Sequence, residues 1–192
     1  TAAPVQVAAD TGEDDSDDSR GWRYYGQGRF DDAAAWFRDT GSDERTAGRI
    51  EDFQAAYGDG RTSYEADEYD VAVHDLRRAY SLDRRLNGHY RESLRGMLAE
   101  AHYQLAQAEY DRNRYKQSGE YAVIALGYES GHSDTRRLVR LLEDHANERY
   151  IQAASYRDSN PARARQICRE IQDMLPESSD VRRRAVELLE QL

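Results

Sequence analysis

Apolar positions recur along this chain with the period of a helix. The clearest case is the C-terminal segment: Val181, Ala185, Leu188, Leu189 and Leu192 fall at i, i+4, i+7, i+8 and i+11, while Arg182, Arg183, Glu187 and Glu190 take the other side. That spacing predicts an amphipathic helix at the end of the chain. From about Trp22 onward nearly every segment is helix-compatible, with Pro only at 161 and 176, and no alternation of β-branched residues predicts a strand. Short breakers divide the pattern: TGSD at 40–43, NG at 87–88, ESGHSD at 129–134, DSNP at 158–161 and PESSD at 176–180. Ser133 or Asp134, Ser159 or Asn160, and Ser179 or Asp180 are suited to N-caps, and Pro161 to a first turn. Residues 1–20 show neither period and carry a run of Asp and Glu, which predicts a flexible acidic linker ahead of a helical domain over 21–192. The chain starts at Thr1 rather than Met, as a mature form or an excised piece would.

The helical pattern also repeats on a longer scale. In the stretch YYGQGRFDDAAAWF, Tyr25 is followed five residues on by Phe30, then by Ala33 and Phe37. The same order recurs as Tyr64, Tyr69, Ala72, Leu76; as Tyr110, Tyr115, Ser118, Ala122; and as Tyr156, Pro161, Ala164, Cys168, at spacings of 39, 46 and 46 residues. Thr40, Ala79, Ala125 and Ile171 follow three residues further on, and Pro176 closes the last copy.

This order resembles the tetratricopeptide repeat, a helix-turn-helix unit whose second half runs aromatic, short turn, aromatic, small residue, larger apolar residue, small residue and terminal Pro. The likeness spans roughly residues 22 to 176, and AHYQLAQAEYDRNRYKQSGEYAVIAL matches both helices of a unit. The spacings exceed the family's usual ~34 residues, which implies lengthened first helices or longer connections. In the first copy Gly21 and the acidic run stand where most of a first helix belongs, and in the fourth Gln152 takes a small-residue position. The resemblance implies an all-α, right-handed solenoid of about four helical hairpins with the C-terminal helix as a cap.

Composition fits such a thin stack. Hydrophobic residues make up 39% and charged residues 33%, with mean hydropathy −0.99, leaner than a compact globule at roughly 45–50% apolar. The net charge of −10 is concentrated in residues 1–60, which hold 14 acids against 6 bases. This opposes phosphate backbones and anionic lipid, although local Arg clusters remain. Lys116 is the single lysine, a skew that reflects a GC-rich coding genome. Cys168 is the single cysteine, so no internal disulfide forms. No apolar run is long enough to span a bilayer.

Solenoids of this kind present first-helix side chains on a concave groove. The resemblance implies groove positions at Tyr103, Gln104, Gln107, Tyr110 and Asp111, with counterparts at Trp22 and Tyr25; at Tyr57, Arg61, Tyr64 and Glu65; and at Arg149, Tyr150, Tyr156 and Arg157. Tyrosine offers a large rigid contact area with a hydroxyl; the competing reading is that these tyrosines pack between layers. An acidic or carboxylate-ended peptide would suit Arg149 and Arg157.

Catalytic constellations are scarce. The five histidines form no HExxH and no i, i+4 pair, and one Cys makes no CxxC motif. YGQGRF and YGDGRT are not phosphate loops; their glycines suit a hairpin turn and close helix packing. Cys168 stands in an apolar second-helix position as an inert thiol. The expectation is therefore a non-enzymatic module that binds a protein or peptide segment, without cofactor, metal, nucleic acid or membrane insertion, attached through its linker to a larger protein. The rival expectations are a self-assembling structural component and a helical regulator or enzyme with a polar small-molecule pocket.

Overall fold

The structure, a computed structural model, describes residues 17–41 and 43–192. Among the described residues there are nine α-helices and no strand: α1 (Asp17–Gly26), α2 (Phe30–Asp39), α3 (Glu44–Glu65), α4 (Tyr69–Asp83), α5 (Arg91–Asp111), α6 (Tyr115–Tyr128), α7 (Ser133–Ser155), α8 (Pro161–Met174) and α9 (Asp180–Glu190). Each helix packs chiefly against its chain neighbours. The breakers read from sequence fall on the links between helices. The expected linker boundary after residue 20 lies inside α1, and the remainder of that segment, residues 1–16, lies outside the described residues.

Three of the connections are built identically. Gly28, Asp67 and Asn113 take φ of 74°, 61° and 60°. In each turn the next amide reaches back five residues, Arg29 to the Tyr24 carbonyl, Glu68 to Ser63 and Arg114 to Glu109, at 3.0, 2.9 and 2.9 Å. The left-handed residue itself donates to the Tyr25, Tyr64 or Tyr110 carbonyl. This is the Schellman ending, which satisfies the last carbonyls of a helix and needs Gly, Asn or Asp at the left-handed position. The second helix begins two residues later, at Phe30, Tyr69 or Tyr115. The rings that flank each turn meet edge-on, Tyr25–Phe30 at 5.7 Å, Tyr64–Tyr69 at 5.7 Å and Tyr110–Tyr115 at 5.4 Å. Where the left-handed residue has a side-chain oxygen, the second aromatic carries a hydroxyl to meet it: Tyr69 donates to Asp67 at 2.5 Å and Tyr115 to Asn113 at 2.7 Å. Gly28 offers no acceptor, and its partner is Phe30.

The fourth connection differs. Helix α7 ends at Ser155, so five residues separate it from α8 instead of three. Ala154, not Tyr156, is the counterpart of Tyr110, and the first-helix register of this copy moves by two residues. Asn160 caps α8 by accepting from the Arg163 amide at 3.1 Å, with Pro161 in the first turn. Helix α7 departs from the expected cap: His132 precedes it, with Nδ1 accepting from the Thr135 amide, while Ser133 and Asp134 are already helical. Ser179 precedes α9 without a side-chain cap bond.

The second helices supply the repeating buried positions. Ala33, Ala72, Ser118 and Ala164 are fully buried, as are Leu76, Ala122 and Cys168, with Phe37 nearly so. Ala79, Ala125 and Ile171 follow them into the core. Thr40 does not, because α2 stops at Asp39 and the Thr40 hydroxyl turns back to the Trp36 carbonyl. Helix α6 buries only Ser118, Gly119, Ala122 and Ala125. Lacking the bulk of Phe37 or Leu76, it approaches α8 so closely that a Cβ on Gly119 would lie 1.9 Å from the Met174 carbonyl oxygen. The core is accordingly in parts: one cluster from α1 to the start of α5, another over α7–α9, and a small one of Ala106, Ala122 and Leu138 between them. The face predicted for the last helix is found, with Ala185 and Leu188 buried and Val181, Leu189 and Leu192 packed on the second cluster.

Candidate functional site

Tyr25 is not a groove residue. It is fully buried in an aromatic cluster, its ring 5.3 Å from both Phe53 and Tyr90. Its hydroxyl donates to Asp83 Oδ1 at 2.9 Å, an oxygen that also accepts the Tyr90 amide at 3.1 Å. Tyr90 returns a hydroxyl bond to the Tyr25 carbonyl at 3.0 Å. Burial, reinforced by the Asp83 carboxylate, drives the Tyr25 hydroxyl far above its ordinary pKa. The α4–α5 link covers the end of α1 here, with His89 against Gly26 and Tyr90 against Tyr25. Trp22 packs on Phe37 at 4.8 Å, and Tyr57 stacks on Phe53 at 5.4 Å and 11°. Arg61 is exposed and pairs with Glu65 at 2.6 Å.

Tyr64, at the end of α3, and Tyr103, on α5, are both half-buried. Burial raises both hydroxyl pKa values, and the Glu100 carboxylate contributes to each, so Glu100 lies near both rings. Glu100 Oε1 accepts from Gln104 at 2.6 Å. Its Oε2 meets His132 Nε2 at 3.0 Å, and the His132 ring lies 5.6 Å from Tyr103. One turn along α5, Gln107 donates to Asp111 at 2.9 Å, and Tyr110 stands half-buried beside Tyr115. Tyr103, Gln104, Gln107 and Tyr110 thus form a half-buried polar-aromatic strip along α5, with Tyr64 of α3 near its Glu100 end and His132 beside Tyr103.

The strip does not continue through the expected α7 residues. Arg149 turns to α8, where it pairs with Glu170. Tyr150 packs on the second core cluster, and the Arg184 guanidinium sits 4.2 Å over its ring. Tyr156 and Arg157 are exposed in the five-residue turn. Shifting the register by two brings Ile151 to the position of Gln107, and Ile151 is 61% exposed, with Leu141 at 43%. These apolar residues were missed because the length of the fourth turn is invisible to a repeat aligned on tyrosines.

The linkage Glu100–His132–Thr135 has the connectivity of a nucleophile relay, but its chemistry is that of a staple. Thr135 is fully buried, and His132 Nδ1 already accepts its backbone amide. With Nε2 donating to Glu100, Nδ1 faces both the Thr135 amide at 3.3 Å and the Thr135 hydroxyl at 2.8 Å, and the full burial of Thr135 keeps that hydroxyl from any substrate, so the linkage ties α5 to the start of α7.

A cleft of about 380 Å³ opens where α6, α7 and α8 meet, lined by Tyr115, His145, Arg149, Glu170, Lys116 and Met174 among others. The Tyr115 and His145 rings lie 4.0 Å apart, tilted by 33°. Burial, then Arg149, holds His145 below its ordinary pKa. The carboxylates here are engaged, Glu170 with Arg149 and Asp173 with Lys116 at 2.9 Å, so the cleft offers a neutral imidazole among ion pairs. Cys168 is buried, and burial raises its thiol pKa. Among the described residues no group of three or more His, Cys, Asp or Glu is placed to hold a metal, and no helix is long and apolar enough to cross a membrane. Compared with known proteins, the chain matches no family model, no curated protein and no solved structure.

Proposed function

We propose that this chain is a non-enzymatic binding module: a right-handed, tetratricopeptide-like stack of four helical hairpins, capped by α9, that holds a segment of a partner protein along its first helices. The observation that carries this reading is the polar-aromatic strip of Tyr103, Gln104, Gln107 and Tyr110, with Tyr64 near its Glu100 end. Half-buried tyrosines held at fixed angles lose little entropy on binding, and flanking amides orient an extended backbone. Ile151, 61% exposed on α7 at the position that corresponds to Gln107, adds an apolar contact. Affinity capture from the native extract tests it, comparing the full chain with a Tyr103→Ala, Gln107→Glu variant whose helix content and melting temperature match. Loss of specific partners from the variant supports the reading; an unchanged partner profile removes it.

The cleft between α6, α7 and α8 favours a second reading, a small-molecule regulator. Its paired carboxylates suit binding better than proton transfer. Ligand-induced stabilisation that disappears in a Tyr115→Ala variant would favour this alternative over the groove.

A further inference from the structure

Residues 77–95 stand apart in this acidic chain, with six arginines against Asp83 and Glu92. Asp83 is buried, so its charge does not face the surface. Arg77, Tyr80 and Arg84 fall at i, i+3 and i+7 along α4 and its C-cap, and therefore share one stripe. Arg91 and Arg95 share another on the first turns of α5. Arg95 is engaged, its guanidinium donating to the Tyr128 carbonyl at the end of α6 and to Glu92 at 3.1 Å. Arg77, Arg84 and Arg91 are exposed and have no acidic side chain within salt-bridge distance among the described residues.

Between the two stripes lies an open cavity of about 600 Å³, walled by Tyr80, Tyr128 and Ile124, with Arg91 and Arg95 at its edge. Tyr80 and Tyr128 meet edge-on at 6.1 Å, and Ile124 is 42% exposed. Arg77 also bears on this place: its charge opposes protonation of His102, whose ring stacks on Tyr128 at 5.8 Å. Arg91 therefore borders a hollow walled by two tyrosines and an isoleucine, with Arg77 and Arg84 on the stripe of Tyr80 and the Arg95–Glu92 pair at the edge, in a molecule of net charge −10.

We propose that this surface docks an acidic peptide segment that inserts one aromatic or large aliphatic side chain between Tyr80, Ile124 and Tyr128, with its carboxylates on Arg84 and Arg91. None of these residues belongs to the first-helix strip, so the surface stands independently of it. A peptide fits better than a nucleic acid, because the hollow takes a single side chain and Arg84 and Arg91 offer too short a basic surface to follow a phosphate backbone.

Fluorescence anisotropy of the full chain with a labelled Asp/Glu peptide carrying one central phenylalanine tests the proposal. Saturable binding is expected. It should weaken by about tenfold or more in an Arg84→Glu, Arg91→Glu variant and stay unchanged in Arg163→Glu, a reversal on α8. Replacing the peptide's phenylalanine by glycine should weaken binding by about tenfold. Absence of saturable binding, equal binding of the glycine peptide, or tighter binding of single-stranded oligothymidylate would each overturn it. Both arginines are exposed, so circular dichroism of the variant should match the wild type.

Discussion

Gly58 and Gly60, separated by one residue, point to nearly opposite sides of α3. A Cβ at Gly58 meets nothing within 4 Å, whereas one at Gly60 would lie 2.9 Å from the Leu76 backbone nitrogen on α4. Gly58→Ala should therefore stabilise the chain by about 0.5–1 kcal/mol, the usual helix-propensity difference. Gly60→Ala should destabilise it by ~1–3 kcal/mol as α3 and α4 are pushed apart. Urea unfolding of the two variants checks the opposite signs. His102 carries a pH effect of similar size. It is 3% exposed, and neither ring nitrogen has a hydrogen-bond partner. Burial, then Arg77, lowers its pKa from 6.5 to about 4. The folded state keeps the ring neutral while the unfolded state takes a proton, so stability present above pH 6.5 is lost as pH falls towards 4. The loss approaches ~3 kcal/mol over that window. A His102→Phe variant should lack this component, which unfolding free energies across the window will show. The sequence displayed these residues without their surroundings: nothing in YGDGRT tells which glycine faces another helix.

The hairpin turn is the element that the chain reuses, and its chemistry can be read in particular residues. Gly28, Asp67 and Asn113 stand at the same distance from their tyrosines, and all three tolerate the left-handed conformation that the turn requires. Asn113→Ala should cost about 1–2 kcal/mol in unfolding free energy, while Asn113→Gly should cost less because only the Tyr115 hydroxyl bond is lost. Denaturant titration of the two variants distinguishes backbone strain from the side-chain bond. The fourth turn was misread because Tyr156 follows the helix instead of ending it. Between elements, Asp83 ties α1 to α5 through one oxygen. Tyr25→Phe should destabilise by ~1–3 kcal/mol, since it leaves a buried carboxylate with one donor fewer. The sequence could not announce this tie, because its partners lie 58 and 7 positions away and share no motif.

At the scale of the whole molecule, the helical period and the breakers made the all-α class and most helix links legible, because both are local properties of the chain. The way one pair meets the next was not, because it depends on side-chain volume across helices. Ser118, Gly119, Ala122 and Ala125 make the buried face of α6 thin, and that brings the Met174 carbonyl against Gly119. Of the expected groove positions, Tyr64, Tyr103, Gln104, Gln107 and Tyr110 lie half-buried on α3 and α5, while Tyr25, Arg149 and Tyr150 serve packing between helices. The account rests on that strip being a surface for recognition. Its most direct measurement is site-specific photo-crosslinking in the native extract, with a benzophenone residue at Gln107 on the strip and, separately, at Val71, which is 46% exposed on α4. The account predicts a discrete adduct from position 107 and none from position 71; adducts from both alike, or from 71 alone, would contradict it.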